Sequence, residues 1–220
     1  GVWIGNSTVT NNYDYGINIY AGDSSTSAVK VYNNVVSWNT NYGIRSVEDD
    51  TIIKSNVIRN NSKGIYLNDA DDVVISDNTI ADSNQNIHVY SNCDRVLIKN
   101  NIVSDADSNG MFFDGVGSDY IVIEGNTIKD NGANGISIKD SDYFYLGNNT
   151  VSGSDNFDLK FDRTTIGNSA KNTTFSTISV HNNAYFAIYN DLTLKFMQND
   201  TVGFDGLDVK LVSDGTTKYA

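Results

Sequence analysis

The chain has 220 residues, 39% of them hydrophobic and 19% charged, which is enough apolar content for a core and excludes a disordered chain. A net charge of −12 repels phosphate backbones and anionic lipid surfaces, so nucleic-acid binding is excluded as a main function. With 18 Gly, no Pro and one Cys, the composition favours tight turns over helices and rules out an internal disulfide framework.

Residues 1–20 read as three β-like runs, VWIG, STVTNN and YGINIY, separated by turn residues. After a polar insertion at Gly22–Ser27, the same three-run unit returns from Ala28 to Val47 and then repeats to Ile138, with a last clear copy at Tyr143–Phe161. The copy at Tyr120–Ile138, YIVIEGNTIKDNGANGISI, is the clearest. Aligning on its Asn126 recovers Asn34, Asn56, Asn78, Asn101 and Asn149, at steps of 22, 22, 23, 25 and 23 residues. A unit of that length cannot bury its own apolar face and must stack on neighbours. The fold expected is all-β: a right-handed parallel β-helix of about 7 coils of 22–27 residues.

Strand alternation assigns the inward residues. Val31, Ile75, Ile98 and Ile123 belong to the first strand of their coils, Val36, Ile58, Ile80, Val103 and Ile128 to the second, and Ile65, Leu67, Ile87, Val89, Ile136 and Ile138 to the third. The Asn file is expected at the bend between the first two strands, held there by its tolerance of left-handed backbone. Gly16, Gly43, Gly64, Gly110 and Gly135, just before the third strand, are expected to need positive φ, with Asn86 filling that slot once.

From Asp162 the repeat fades, with Asn172 as the expected anchor of a partial coil. The domain division expected is 1–162 for the β-helix, 163–183 for a junction and 184–220 for the start of an antiparallel β-sandwich, carried by Leu192, Leu194, Leu207, Val209 and Leu211. A chain that begins at Gly1 without Met is expected to be a processed protein or an excerpt of a longer one.

The pattern V-x-I-x-x-N-x-I…N-G-I-x-I over residues 1–161 resembles the right-handed parallel β-helix repeats of archaeal and bacterial surface proteins. It also resembles the carbohydrate-binding and sugar-hydrolase type β-helices and the periplasmic copper-accessory proteins. The run from Lys171 to Phe196, followed by Gly206-LDVKLV, is similar to the junction where such helices meet an immunoglobulin-like or carboxypeptidase-regulatory-like sandwich. This resemblance implies an extracellular surface location and a structural, non-enzymatic scaffold of a surface layer, filament or adhesin; the other reading is a carbohydrate-binding or carbohydrate-active β-helix.

Four sets of side chains are candidate sites. Asp49, Asp71, Asp94, Asp119 and Asp142 each stand four residues before the inner apolar residue of a first strand. They offer hard oxygens to calcium, the one cofactor for which the sequence has ligands, or else close Asx-turns at the strand starts. Arg45, Tyr66, His88, Tyr90, Phe112 and Asp114 lie in the outward file of the third strand and beside it, together with Asp158. Aromatic faces flanked by polar groups are what sugar rings stack on, and Asp114 with Asp69 or Asp158, or His88 alone, is the catalytic version.

Trp3, Ile52, Val74, Leu97, Val122 and Tyr145 form an apolar outward file on the first strand, expected to be covered by residues 163–220 or by a second subunit, through self-association or a neighbouring surface protein. Asn6, Asn60, Asn148, Asn172 and Asn199 head N-x-S/T sequons, which an extracellular location would make glycosylation sites. Polysaccharide is the remaining expected partner, and no run of 18 apolar residues is present to insert into a membrane.

Overall fold

The computed structural model describes residues 1–20, 28–163, 165–181 and 183–189, and the backbone of two further strands, Lys210–Ser213 and Thr216–Tyr219. The backbone winds as a parallel β-helix of seven complete coils, with no helix among the described residues. Three sheets run its length. The first begins Val2–Gly5, Val29–Tyr32, Ile52–Lys54 and Val74–Ser76; the second begins Thr8–Thr10, Val35–Ser37 and Val57–Arg59; the third begins Tyr15–Ile19, Tyr42–Ser46 and Lys63–Leu67. Each strand pairs in parallel with its copies one coil away, so Ile53, Ile75, Ile98, Ile123 and Leu146 sit in one file.

The inward residues expected from alternation are buried, and like stacks on like: Ile58 on Ile80 on Val103, and Ile65 on Ile87 on Met111. Each fully buried aliphatic side chain contributes about 1.5–3 kcal/mol, which an isolated coil could not collect because its upper and lower surfaces would be open.

The corners differ from expectation in an instructive way. Left-handed backbone belongs to the residue before each file Asn: Asn33, Ser55, Asp77, Asn100 and Asn148 all have φ near +55°, and Gly125 has φ 67°. The file residues Asn34, Asn56, Asn78, Asn101, Asn126 and Asn149 are instead buried and point inward. The Asn101 amide N–H donates to Asn126 Oδ1 at 2.8 Å, while its side-chain Nδ2 donates to Ile75 O, Lys99 O and Asn126 Oδ1, each at 3.0 Å. The bend therefore needs two residues, one to turn the chain and one to satisfy the backbone groups the turn strands inside. Thr173, not Asn172, ends the file, its Oγ1 donating to Leu146 O at 2.9 Å, and Asn172 takes the left-handed corner (φ 50°).

Gly64 is also used differently from expectation, since its φ is not positive. A Cβ there would sit 2.4 Å from Asn86 O and 2.8 Å from Ile80 Cγ2, so glycine is required by close approach of the next coil.

Beyond Asp162 the winding continues. Asn168–Lys171 joins the first sheet and Ile178–Val180 the third, while the second sheet is reduced to a Thr150–Thr174 bridge. Phe186–Tyr189 then adds a parallel strand to the first sheet, and the Lys210–Ser213 and Thr216–Tyr219 hairpin follows on that same edge. The expected sandwich is not seen: the described strands extend an existing edge, whose free N–H and C=O groups are the nearest partners for a following strand. Leu192, Leu194, Leu207, Val209 and Asn199 lie outside the described residues.

Candidate functional site

The outer face of the third sheet carries the densest group of aromatic and cationic side chains. Register places Asn18, Arg45, Tyr66, His88, Phe112, Ser137 and Lys160 in one file. Asp158, expected in that file, lies two residues out of register in the glycine slot, buried beneath the sheet. Its carboxylate accepts the Ser176 N–H at 2.8 Å and the Ser154 N–H at 3.4 Å. That removes it from any exposed catalytic pair.

Three residues not singled out from the sequence, Tyr15, Tyr42 and Lys63, complete the face. Tyr15 and Tyr42 begin their third strands and are stacked on one another, with ring centroids 5.4 Å apart; Tyr42 stacks in turn on Tyr66 at 4.6 Å. Lys63 lies over both Tyr42 and Tyr66, at 5.4 and 4.9 Å from the ring centroids, and the Arg45 guanidinium lies 5.8 Å from Tyr15. The signal for these positions was the aromatic or basic residue directly before the glycine slot, which a search of strand interiors passes over. Parallel stacking turns the faces of these rings toward each other, so edges and hydroxyls meet solvent and a sugar finds hydrogen-bonding groups more than a stacking platform.

His88 lies at the centre. Its ring is 5.3 Å from Tyr66, 6.0 Å from Tyr90 and 5.1 Å from Phe112, and the residue is only 6% exposed. Neither ring nitrogen has a hydrogen-bond partner. Burial first and the Lys63 charge second push its pKa down to about 4, against an opposing pull from Asp114, so the imidazole is neutral at pH 7. Lys63 is itself shifted down by burial, with Asp114 opposing, and burial together with neighbouring Tyr42 raises Tyr66 to about 12, so its phenol keeps its proton. Asp114 is held by Lys139 at 2.7 Å.

The other columns are resolved differently. Each Asp of the first-strand file hands one carboxylate oxygen to the next coil: Asp49 Oδ1 accepts from Asp71 N at 2.7 Å, Asp71 from Asp94 N at 2.8 Å, Asp94 from Asp119 N at 2.8 Å and Asp119 from Asp142 N at 2.9 Å. The expected turn within one coil is thus replaced by a bond between coils, and Arg95 neutralises part of the file through Asp71 at 3.0 Å and Asp72 at 2.8 Å. Among the described residues no three His, Cys, Asp or Glu side chains are grouped to hold a metal ion.

Trp3, Ile52, Val74, Leu97, Val122 and Tyr145 do form one outward file of the first sheet; Trp3 is 65% exposed and the others are half-buried. None of the described residues beyond 163 folds back over them, because Asn168–Lys171 and Phe186–Tyr189 extend the sheet at its end. Asn6, Asn148 and Asn172 are exposed at left-handed corners and Asn60 is half-exposed at another.

The sequence profile described as right handed beta helix region matches residues 24–191, and the chain belongs to that family. No curated protein matches by sequence. Among solved structures, the periplasmic alginate epimerase AlgG is similar with a TM-score of 0.68 and 15% identity, over 87% of this chain and 50% of its own. Tailspike protein 2 from Escherichia coli O157:H7 bacteriophage CAB120 gives 0.63 and 11%, over 92% and 37%. The Agl-KA catalytic domain gives 0.56 and 13%, over 87% and 44%. The chain thus spans half or less of each. These likenesses establish the fold. They also correct the expectation of a non-enzymatic scaffold, because the similar structures include an epimerase and a catalytic domain.

Proposed function

We propose that this member of the right-handed β-helix family acts on a polysaccharide bound across the outer face of its third sheet, outside the cell or in a periplasm. The observation that carries the reading is His88: a buried imidazole with both nitrogens unpartnered, set among Tyr66, Tyr90 and Phe112. A buried polar group without a partner is unfavourable by about 1–3 kcal/mol, and a bound ligand that supplies the partner offsets that cost. The likeness to an alginate epimerase supports the same substrate class.

The chemistry that fits is proton transfer by a neutral base. Hydrolysis by two free carboxylates fits less well, since Asp114 is ion-paired and Asp158 is buried with both oxygens bonded. Tyr90, 43% exposed, is the cover whose displacement opens His88 to a sugar. The test is a polysaccharide panel assayed for product by NMR with the native chain and with His88→Ala. Turnover that His88→Ala abolishes supports the reading; turnover indifferent to His88 removes it.

A further inference from the structure

The cations of the third-sheet face show which kind of sugar it takes. In a chain of net charge −12 most basic side chains near a carboxylate are paired: Lys139 with Asp114, Lys160 with Asp162, Arg163 with Asp140 and Arg95 with Asp71 and Asp72. Lys63 and Arg45 are not. Among the described residues neither has a carboxylate oxygen within 4.0 Å; Arg45 donates instead to the neutral Asn18 Oδ1 at 3.0 Å, and Lys63 rests on tyrosine rings. Both are half-buried on the face that holds the unpartnered His88. A half-buried cation without a counter-charge is disfavoured, and an arriving anion relieves it.

From this we infer that the polysaccharide is acidic, and that an anionic group on one sugar unit, a carboxylate or a sulfate ester, seats between Lys63 and Arg45 while its ring lies over His88. The inference rests on the glycan reading above. Arg45 offers a planar fork of donors, and Lys63 a point charge in a partly desolvated place where ion pairing exceeds the strength of a solvated surface pair. Against the acidic background of the chain, Lys63 and Arg45 offer a polyanion positive charge that no ion pair takes up, and binding there falls as salt rises.

Binding is measured by calorimetry on His88→Ala, which keeps polymer intact during titration, with polygalacturonate and alginate, the neutral ester of each, and dextran sulfate. The expected result is at least tenfold tighter binding of an acid polymer than of its ester. That ratio falls toward one in Lys63→Gln and Arg45→Gln, and is restored by Lys63→Arg. Preference for dextran sulfate over both uronates, lost with the same substitutions, assigns the anion as a sulfate ester; preference for a uronate assigns a carboxylate. An ester bound as tightly as its acid, with binding lost in Phe112→Ala, overturns the anionic seat and leaves the glycan reading standing. Acid preference unchanged in Lys63→Gln and Arg45→Gln overturns the seat as well. Failure of every polymer to bind overturns both.

Discussion

Asn101 and His88 are both buried polar side chains on adjacent coils, and they are treated in opposite ways. Every hydrogen-bonding group of Asn101 is used: N–H and Nδ2 donate to Asn126 Oδ1, Nδ2 also reaches two carbonyls, and Oδ1 accepts the Asn78 N–H at 2.9 Å. His88 uses neither ring nitrogen. The difference separates side chains that serve winding from those the winding merely carries: a satisfied amide inside the corner holds coil to coil, and an unsatisfied imidazole outside the sheet awaits something else.

The sharpest way to break that contrast is to remove each group and ask what is lost. Replacing His88 with Ala is expected to lower turnover of the polysaccharide by about 100- to 10,000-fold, the range for loss of a general base, with the melting temperature unchanged or raised. A fall in melting temperature with normal turnover would make His88 a structural residue like Asn101. Asn101→Ala should do the reverse, losing about 3 kcal/mol because several buried groups are orphaned together, which for a chain of this size lowers the melting temperature by about 6–12 °C.

The pH dependence sharpens the same point. His88 has its folded pKa pushed down to about 4 from 6.5, so the fold binds fewer protons than the unfolded chain between those values. Its stabilising contribution is complete above pH 6.5 and is lost as pH falls toward 4, up to about 3 kcal/mol in all. Denaturant melts at pH 7 and pH 4.5 should show this loss, and His88→Gln should remove that part of it. The smallest effect belongs to the surface file. Asp94→Asn keeps an oxygen that accepts the Asp119 N–H, so a change below about 0.5 kcal/mol is expected; a large loss would show that the Asp charge itself is needed.

The same division runs through what could be read before the fold was seen. Ile75, Ile98 and Ile123 recur at a near-fixed step, and the core followed from that period together with strand alternation. The site was legible in part: Arg45, Tyr66, His88 and Phe112 do share one file. Tyr15, Tyr42 and Lys63 were missed because they precede the strand interior, and they join the file residues only when side chains lean across to stack. Asp158 was misplaced because it stands itself in the slot that glycine fills in most coils, which hides the register.

Period and alternation alone determined that the chain winds into stacked coils and which side chains face inward, because those depend on spacing along the backbone. Only the tertiary structure decided which outward groups are satisfied. Whether Lys63 meets a carboxylate, whether Asp158 is sealed beneath the sheet and whether His88 has a partner depend on distances between coils about 25 residues apart. At such separations a few ångströms distinguish a paired charge from a free one, and sequence spacing does not contain that distance.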